Sequence, residues 1–166
     1  HGRGIVPMQD TPAIKVTYKA HVKVKDPYVV KMSANETSPV KNADGTTTYN
    51  FQCDIPIASY LMAIAIGNLS YKSTGKRTGV ISEPGENALD YYAKELEDLE
   101  SYLDATEAWL TPYIWGTYTI IILPASFPFG GMENPLLTFA SPTIIVGDKS
   151  QVYVATHEIA HSWTGN

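Results

Sequence analysis

His157-Glu158-Ile159-Ala160-His161-Ser162-Trp163-Thr164-Gly165-Asn166 carries chemistry in its spacing. On a helix His157 and His161 stand one turn apart on the same face, where two imidazoles can bind one zinc ion. Glu158 follows the first histidine and projects beside the metal, placed to take a proton from a bound water. Zinc lowers the pKa of such a water toward neutrality, and the carboxylate completes its activation for attack on a carbonyl carbon. The pattern points to a zinc hydrolase. The bland alternative is a helix end with two exposed histidines and a solvated glutamate. Three fixed positions drawn from two uncommon residue types recur by chance in well under roughly one in a hundred chains of this size.

Upstream, Phe127-Pro128-Phe129-Gly130-Gly131-Met132-Glu133-Asn134-Pro135 forms an irregular stretch. Paired glycines let a backbone come close to a ligand and leave N–H and C=O groups bare. If this edge lies along the zinc cleft, it pairs with an extended peptide and Glu133 captures a free α-amino group. Amine capture beside the metal limits cleavage to the first residue, which defines an exopeptidase. Taken alone, Gly-Gly-x-Glu reads more readily as a plain turn. Its force comes from the zinc motif about two dozen residues further on.

The elements between and before these motifs follow from periodicity. Residues 118–123 predict a strand closed by Pro124. Residues 137–146 return to strand character, broken at Ser141-Pro142, and Gly147-Asp148 leads into a final helix over about 150–163. Leu89, Tyr92, Leu96, Leu99 and Leu103 recur at three- and four-residue steps. They predict one helix over 87–110, ended by Thr111-Pro112, with Glu95, Glu97, Asp98 and Glu100 on solvated faces. Residues 1–70 read as antiparallel β structure. Ile14, Val16, Tyr18, Ala20, Val22 and Val24 alternate with polar residues, leaving His21 on the surface side. A short strand is expected at 28–33. Asn42-Ala43-Asp44-Gly45 signals a turn before the alternating run 46–53. The nearly all-apolar run 60–69 predicts a strand buried on both faces. A composition shift at Ser82-Glu83-Pro84-Gly85-Glu86 marks a domain boundary.

A chain of 166 residues suffices for one ordinary domain or parts of two, and 44% apolar residues can bury a core. The net charge of −5, with no Lys/Arg cluster, argues against nucleic acid and anionic membrane as partners. No apolar run approaches the ~20 residues that span a bilayer. The single cysteine, Cys53, allows no internal disulfide and fits a reducing, cytoplasmic setting. The sequence starts at His1 and stops three residues after Trp163, before a zinc site is complete. It reads as an internal segment of a longer protein.

On these residues the chain resembles the gluzincin aminopeptidases related to aminopeptidase N, and within them the leukotriene-A(4) hydrolase/aminopeptidase branch. The resemblance rests on residues 127–135, on Leu137-Thr138-Phe139, on Gly147-Asp148-Lys149-Ser150 and on residues 157–166. It extends to His1-Gly2-Arg3 and Gln9-Asp10-Thr11-Pro12. It implies an α+β fold. Residues 1–82 would be the C-terminal part of an N-terminal β domain. Residues 83–166 would be the first half of a thermolysin-like zinc peptidase catalytic domain, ending in the HExxH helix.

The resemblance also implies a zinc metallo-aminopeptidase that removes N-terminal residues from peptides. His157 and His161 would hold the one zinc ion and Glu158 would be the general base. Glu133 would bind the substrate amine, with Pro128, Phe129, Gly130, Gly131 and Met132 lining the substrate. The partners implied are a peptide with a free N-terminus and the remainder of the same polypeptide. The family's third zinc ligand is a glutamate on the next helix. That glutamate, the oxyanion tyrosine and the glutamines ahead of His1 fall outside this sequence, so the segment alone is expected to be inactive. Phe129 stands where close relatives carry tyrosine, which removes a hydroxyl near the substrate. Two other readings share these residues: a lipid-epoxide (leukotriene-type) hydrolase at the same zinc site, and a non-catalytic scaffold. The intact set of His157, Glu158, His161 and Glu133 argues against the scaffold.

Overall fold

The computed structural model describes residues 2–85 and 88–166. His1, Glu86 and Asn87, at the start of the chain, the expected boundary and the expected helix start, lie outside the described residues.

Alternation shapes the first half. β1 (Lys15–Lys25) turns Val16, Tyr18, Ala20, Val22 and Val24 inward and leaves the residues between them exposed, His21 included. β2 (Val29–Met32) and β3 (Asn35–Lys41) follow. Gly45, at φ 75°, makes the left-handed turn that leads into β4 (Thr46–Ala58). β4 lies between β1 and β3, antiparallel to both, with Ala20 opposite Phe51 and Val22 opposite Tyr49. β3 has no counterpart in the sequence reading. Every one of its residues is exposed, so it carries no apolar period and is defined by its ladder to β4. β5 (Ile64–Gly67) pairs with β2. It is not buried on both faces: Ile64 and Ile66 are 47% and 51% exposed, because this two-stranded sheet is covered on one side only.

The second sheet holds β6 (Ser70–Ser73), β7 (Thr78–Ser82), β8 (Tyr118–Ile122), β9 (Gly131–Met132) and β10 (Thr138–Ala140). Its order is β6-β7-β8-β10-β9. The three inner strands are parallel, and β6 and β9 run antiparallel at the two edges. Buried strands of this kind fill both faces. Val80, Ile120 and Ile122 join the main core with Leu96, Leu99 and Leu103. Ile81, Ile121 and Leu137 fill the opposite side.

The single helix expected over 87–110 is two, α1 (Ala88–Glu95) and α2 (Leu99–Trp109), separated by a turn at residues 96–98. Leu96, Leu99 and Leu103 are fully buried across the turn, so the apolar period runs through it and conceals it. Glu95 is not solvated as expected but turned inward, 4% exposed. Arg77, just before β7, ties the sheet to α2: its guanidinium reaches Glu100 at 3.0 Å, Asp104 at 2.7 Å and Glu107 at 2.8 Å. The final helix, α3 (Tyr153–His161), is shorter than the expected 150–163. Ala155, Glu158 and Ile159 form its buried side, with Val152 buried just ahead of it. Among the described residues no helix is long and apolar enough to cross a membrane.

Candidate active site

His157 and His161 lie four residues apart on α3, away from the side that carries Val152, Ala155 and Ile159. Their Nε2 atoms are 3.2 Å apart and their rings nearly perpendicular, at 85°. Two nitrogens each about 2.0–2.1 Å from one tetrahedral zinc ion stand roughly 3.3–3.4 Å from each other. The observed spacing fits a shared ion. His161 Nδ1 is 3.0 Å from the Thr164 carbonyl oxygen, a contact that needs a proton on Nδ1. Nε2 is then left with a bare lone pair, as a metal ligand requires.

Glu158 sits on the neighbouring, inward side of the helix, 6% exposed. Its Oε2 is buried with no hydrogen-bond partner among the described residues. Burial pushes its carboxyl up to about 7; a His161 charge opposes the shift and the Glu133 charge adds to it. A carboxyl so placed accepts and returns a proton near neutrality. Glu133, Glu158 and His161 each bring one donor atom within 4.8 Å of the others. The two imidazoles are nitrogen donors of the kind zinc takes, and the two carboxylates stand beside them.

β9 brings the glycine stretch to this point. A Cβ on Gly131 would lie 2.2 Å from Glu158 Oε1, so only glycine lets the strand lie against α3. β9 pairs with β10 on one side and ends the sheet on the other, leaving an edge that an extended chain can join. Met132 is half-buried and Glu133 follows it. Pro128, Phe129 and Gly130 are exposed, with Phe129 edge-on to Phe127 at 5.7 Å. The Gly130 carbonyl is used within the fold, where it accepts from Ser141 N–H at 2.9 Å.

Several supports are hydrogen bonds whose partners the sequence does not reveal. Asn166 donates through Nδ2 to the Glu133 carbonyl at 3.0 Å, and its own carbonyl accepts from Lys15 Nζ at 2.8 Å. Trp115 Nε1 donates to the Ser162 carbonyl at 3.1 Å, and Trp163 Nε1 to that of Thr111 at 2.8 Å. These bonds fix the far end of α3. At its near end, Glu95 accepts from the backbone N–H groups of Val146, Gly147 and Lys149, and Lys149 Nζ donates to Asp98.

The Peptidase family M1 domain matches residues 91–166, and the Peptidase M1 N-terminal domain matches residues 1–61. Over its whole length the chain is 44% identical to leucine aminopeptidase 2 of Neurospora crassa and 42% identical to leukotriene A-4 hydrolase of Xenopus laevis. It covers 25% and 27% of those two proteins. The whole chain also superposes on yeast LTA4 hydrolase in complex with bestatin, with a TM-score of 0.87, 38% identity and 25% of that chain covered. A two-domain M1 zinc metallopeptidase bound to L-arginine shares the fold at a TM-score of 0.71 and 22% identity, over 99% of this chain and 38% of that one. The chain thus spans about a quarter of the length of the curated relatives it matches.

Proposed function

We propose, because the chain belongs to peptidase family M1, that it supplies the water-activating half of a zinc metallo-aminopeptidase site that removes N-terminal residues from peptides. The observation that carries this reading is the convergence of the His157 and His161 Nε2 atoms, 3.2 Å apart, beside the buried and unpartnered Glu158 oxygen. Bound at the two imidazoles, one zinc ion would supply Lewis acidity and an acidified water. Glu158 takes the proton from the attacking water and returns it to the departing peptide nitrogen. Glu133 pairs with the substrate's α-ammonium group, and the outer edge of β9 aligns the backbone behind it. The half-buried Gly131 and Met132 and the exposed Pro128, Phe129 and Gly130 line that approach. Nothing in the site favours the lipid-epoxide alternative over this one.

The same reading keeps two parts, divided near residue 82; the hydrogen bonding of β6 and β7 into the sheet that carries β9 supports counting the strands from Ser70 onward with the second part. The buried thiol of Cys53 suits the cytoplasmic setting that belongs to this reading.

The test uses a polypeptide of the relatives' full length that contains this chain. Metal content and hydrolysis of aminoacyl chromogenic substrates are measured before and after chelation. One zinc per chain is expected, with activity lost to the chelator and restored by zinc, and the 166-residue chain alone is expected to be inactive. A full-length protein without zinc would replace this reading with the scaffold one.

A further inference from the structure

Among the described residues, Glu95 is the one buried carboxylate that the proposed chemistry does not use. Its Oε1 accepts three backbone N–H groups, from Lys149 at 2.9 Å, Gly147 at 3.1 Å and Val146 at 3.4 Å. The segment it grips has two left-handed residues, Gly147 at φ 90° and Lys149 at φ 60°. Backbone so bent aims successive N–H groups at one point, a concavity that suits an anion. Here a side chain of the same protein fills it. Tyr91, one turn earlier on α1, covers the same segment: a Cβ on Gly147 would lie 2.6 Å from its hydroxyl oxygen. Beyond the turn, Lys149 Nζ reaches Asp98 at 2.6 Å and Glu97 at 2.8 Å.

A short relay of hydrogen bonds runs from this clasp to the metal site. Glu95 holds Lys149 N–H. The Lys149 carbonyl accepts from Val152 N–H at 3.2 Å, and the Val152 carbonyl accepts from Thr156 N–H at 3.2 Å. Thr156 precedes His157. We infer that Glu95 is a positioning residue for the metal site: by fixing the backbone of residues 146–149 it sets where α3 begins, and so where His157 and Glu158 stand. This rests on the aminopeptidase reading of those two residues.

The test compares Glu95→Ala and Glu95→Gln in the full-length protein. It measures kcat and KM, zinc affinity by chelator competition, and hydrogen exchange at the amides of Gly147, Lys149, Val152 and Thr156. Glu95→Ala is expected to lower kcat by about 10- to 100-fold at nearly constant KM and to weaken zinc about tenfold. Exchange at the four amides accelerates. Glu95→Gln keeps an acceptor oxygen and restores most of each loss. Should Glu95→Ala not fold, Glu95→Asp takes its place, since it is one methylene too short to reach all three N–H groups and must show the same losses. Wild-type kcat and zinc affinity in the truncated variant overturn the inference, as does a loss no larger than its unfolded fraction explains. Failure of the parent reading looks different: the wild-type protein then binds no zinc and cleaves no aminoacyl substrate. The exchange rates still decide the clasp in that case, unchanged rates overturning it and faster ones supporting it.

Discussion

Glu95 and Glu158 are buried alike, at 4% and 6% exposure, and are provided for in opposite ways. One oxygen of Glu95 takes three backbone N–H groups, whereas Glu158 keeps a buried oxygen with no partner among the described residues. A buried acid whose bonds are made holds structure, because removing it strands donors that were desolvated on folding. A buried acid whose bonds are not made is a burden to the fold and is free to receive a proton. α3 has the first kind at its entry and the second kind in its middle. The same element is therefore fixed at one end by what its neighbour satisfies and, in the proposed reading, reacts at an oxygen with no partner among the described residues.

Glu158→Gln gives the largest effect and tests the contrast directly. The amide has the size of the acid but cannot accept the proton, so kcat in the zinc-loaded full-length protein should fall by roughly 10²- to 10⁴-fold. Zinc content should not change, since neither histidine is touched. The melting temperature of the metal-free protein should hold or rise, because no hydrogen bond to Oε2 is lost. A drop of several degrees would show that Oε2 is held after all, and the contrast with Glu95 would break.

Gly131 comes next. A methyl group there would lie 2.2 Å from Glu158 Oε1 and 2.6 Å from its Cδ, so the carboxylate must move. A displacement of about 1 Å at a reacting group costs on the order of 10²-fold, the loss of kcat expected for Gly131→Ala. At Gly130 the nearest atom to the added methyl is Val154 Cγ1 at 3.7 Å, an ordinary contact that leaves Glu158 in place, so Gly130→Ala should lose far less kcat than Gly131→Ala, any cost falling on KM because the residue lines the substrate approach. Equal losses in the two variants would mean that the glycines serve the loop as a whole rather than the space beside Glu158.

How much of this was legible depends on whether a feature is local. The period of β1 and β4 states which face is buried, the unbroken apolar run of β8 states that both are, and the four-residue spacing of His157 and His161 states that they share a helix face. β3 has no inward face, so no alternation reveals it. Ile64 and Ile66 read as core because apolarity is written in the chain, while coverage depends on a neighbouring layer. The turn between α1 and α2 carries no glycine or proline. It forms where Glu95 meets backbone donors 51 to 54 positions later, a partnership that exists only once the sheet has brought the two segments together. Glu133 and Gly131 were named from a weak motif, and what brings them to α3 is the pairing of β9 with β10. The proposed function is more legible than the supports of its site, because reactive groups must be particular residue types whereas backbone donors belong to every residue.

Lys149→Asn gives the smallest effect and sharpens the contrast from the other side. The substitution removes the ammonium that bridges Glu97 and Asp98, whose side chains are 40% and 42% exposed. Ion pairs that open to water add little to stability. Asn also adopts the left-handed conformation found at this position more readily than Lys. The backbone N–H of residue 149 stays available to Glu95. The melting temperature should therefore remain within about two degrees of wild type and kcat within about twofold. If Lys149→Asn instead falls as far as Glu95→Ala, the exposed bridge rather than the buried acceptor holds residues 146–149. Burial with every bond made would then no longer be what separates the acid at the entry of α3 from the acid in its middle.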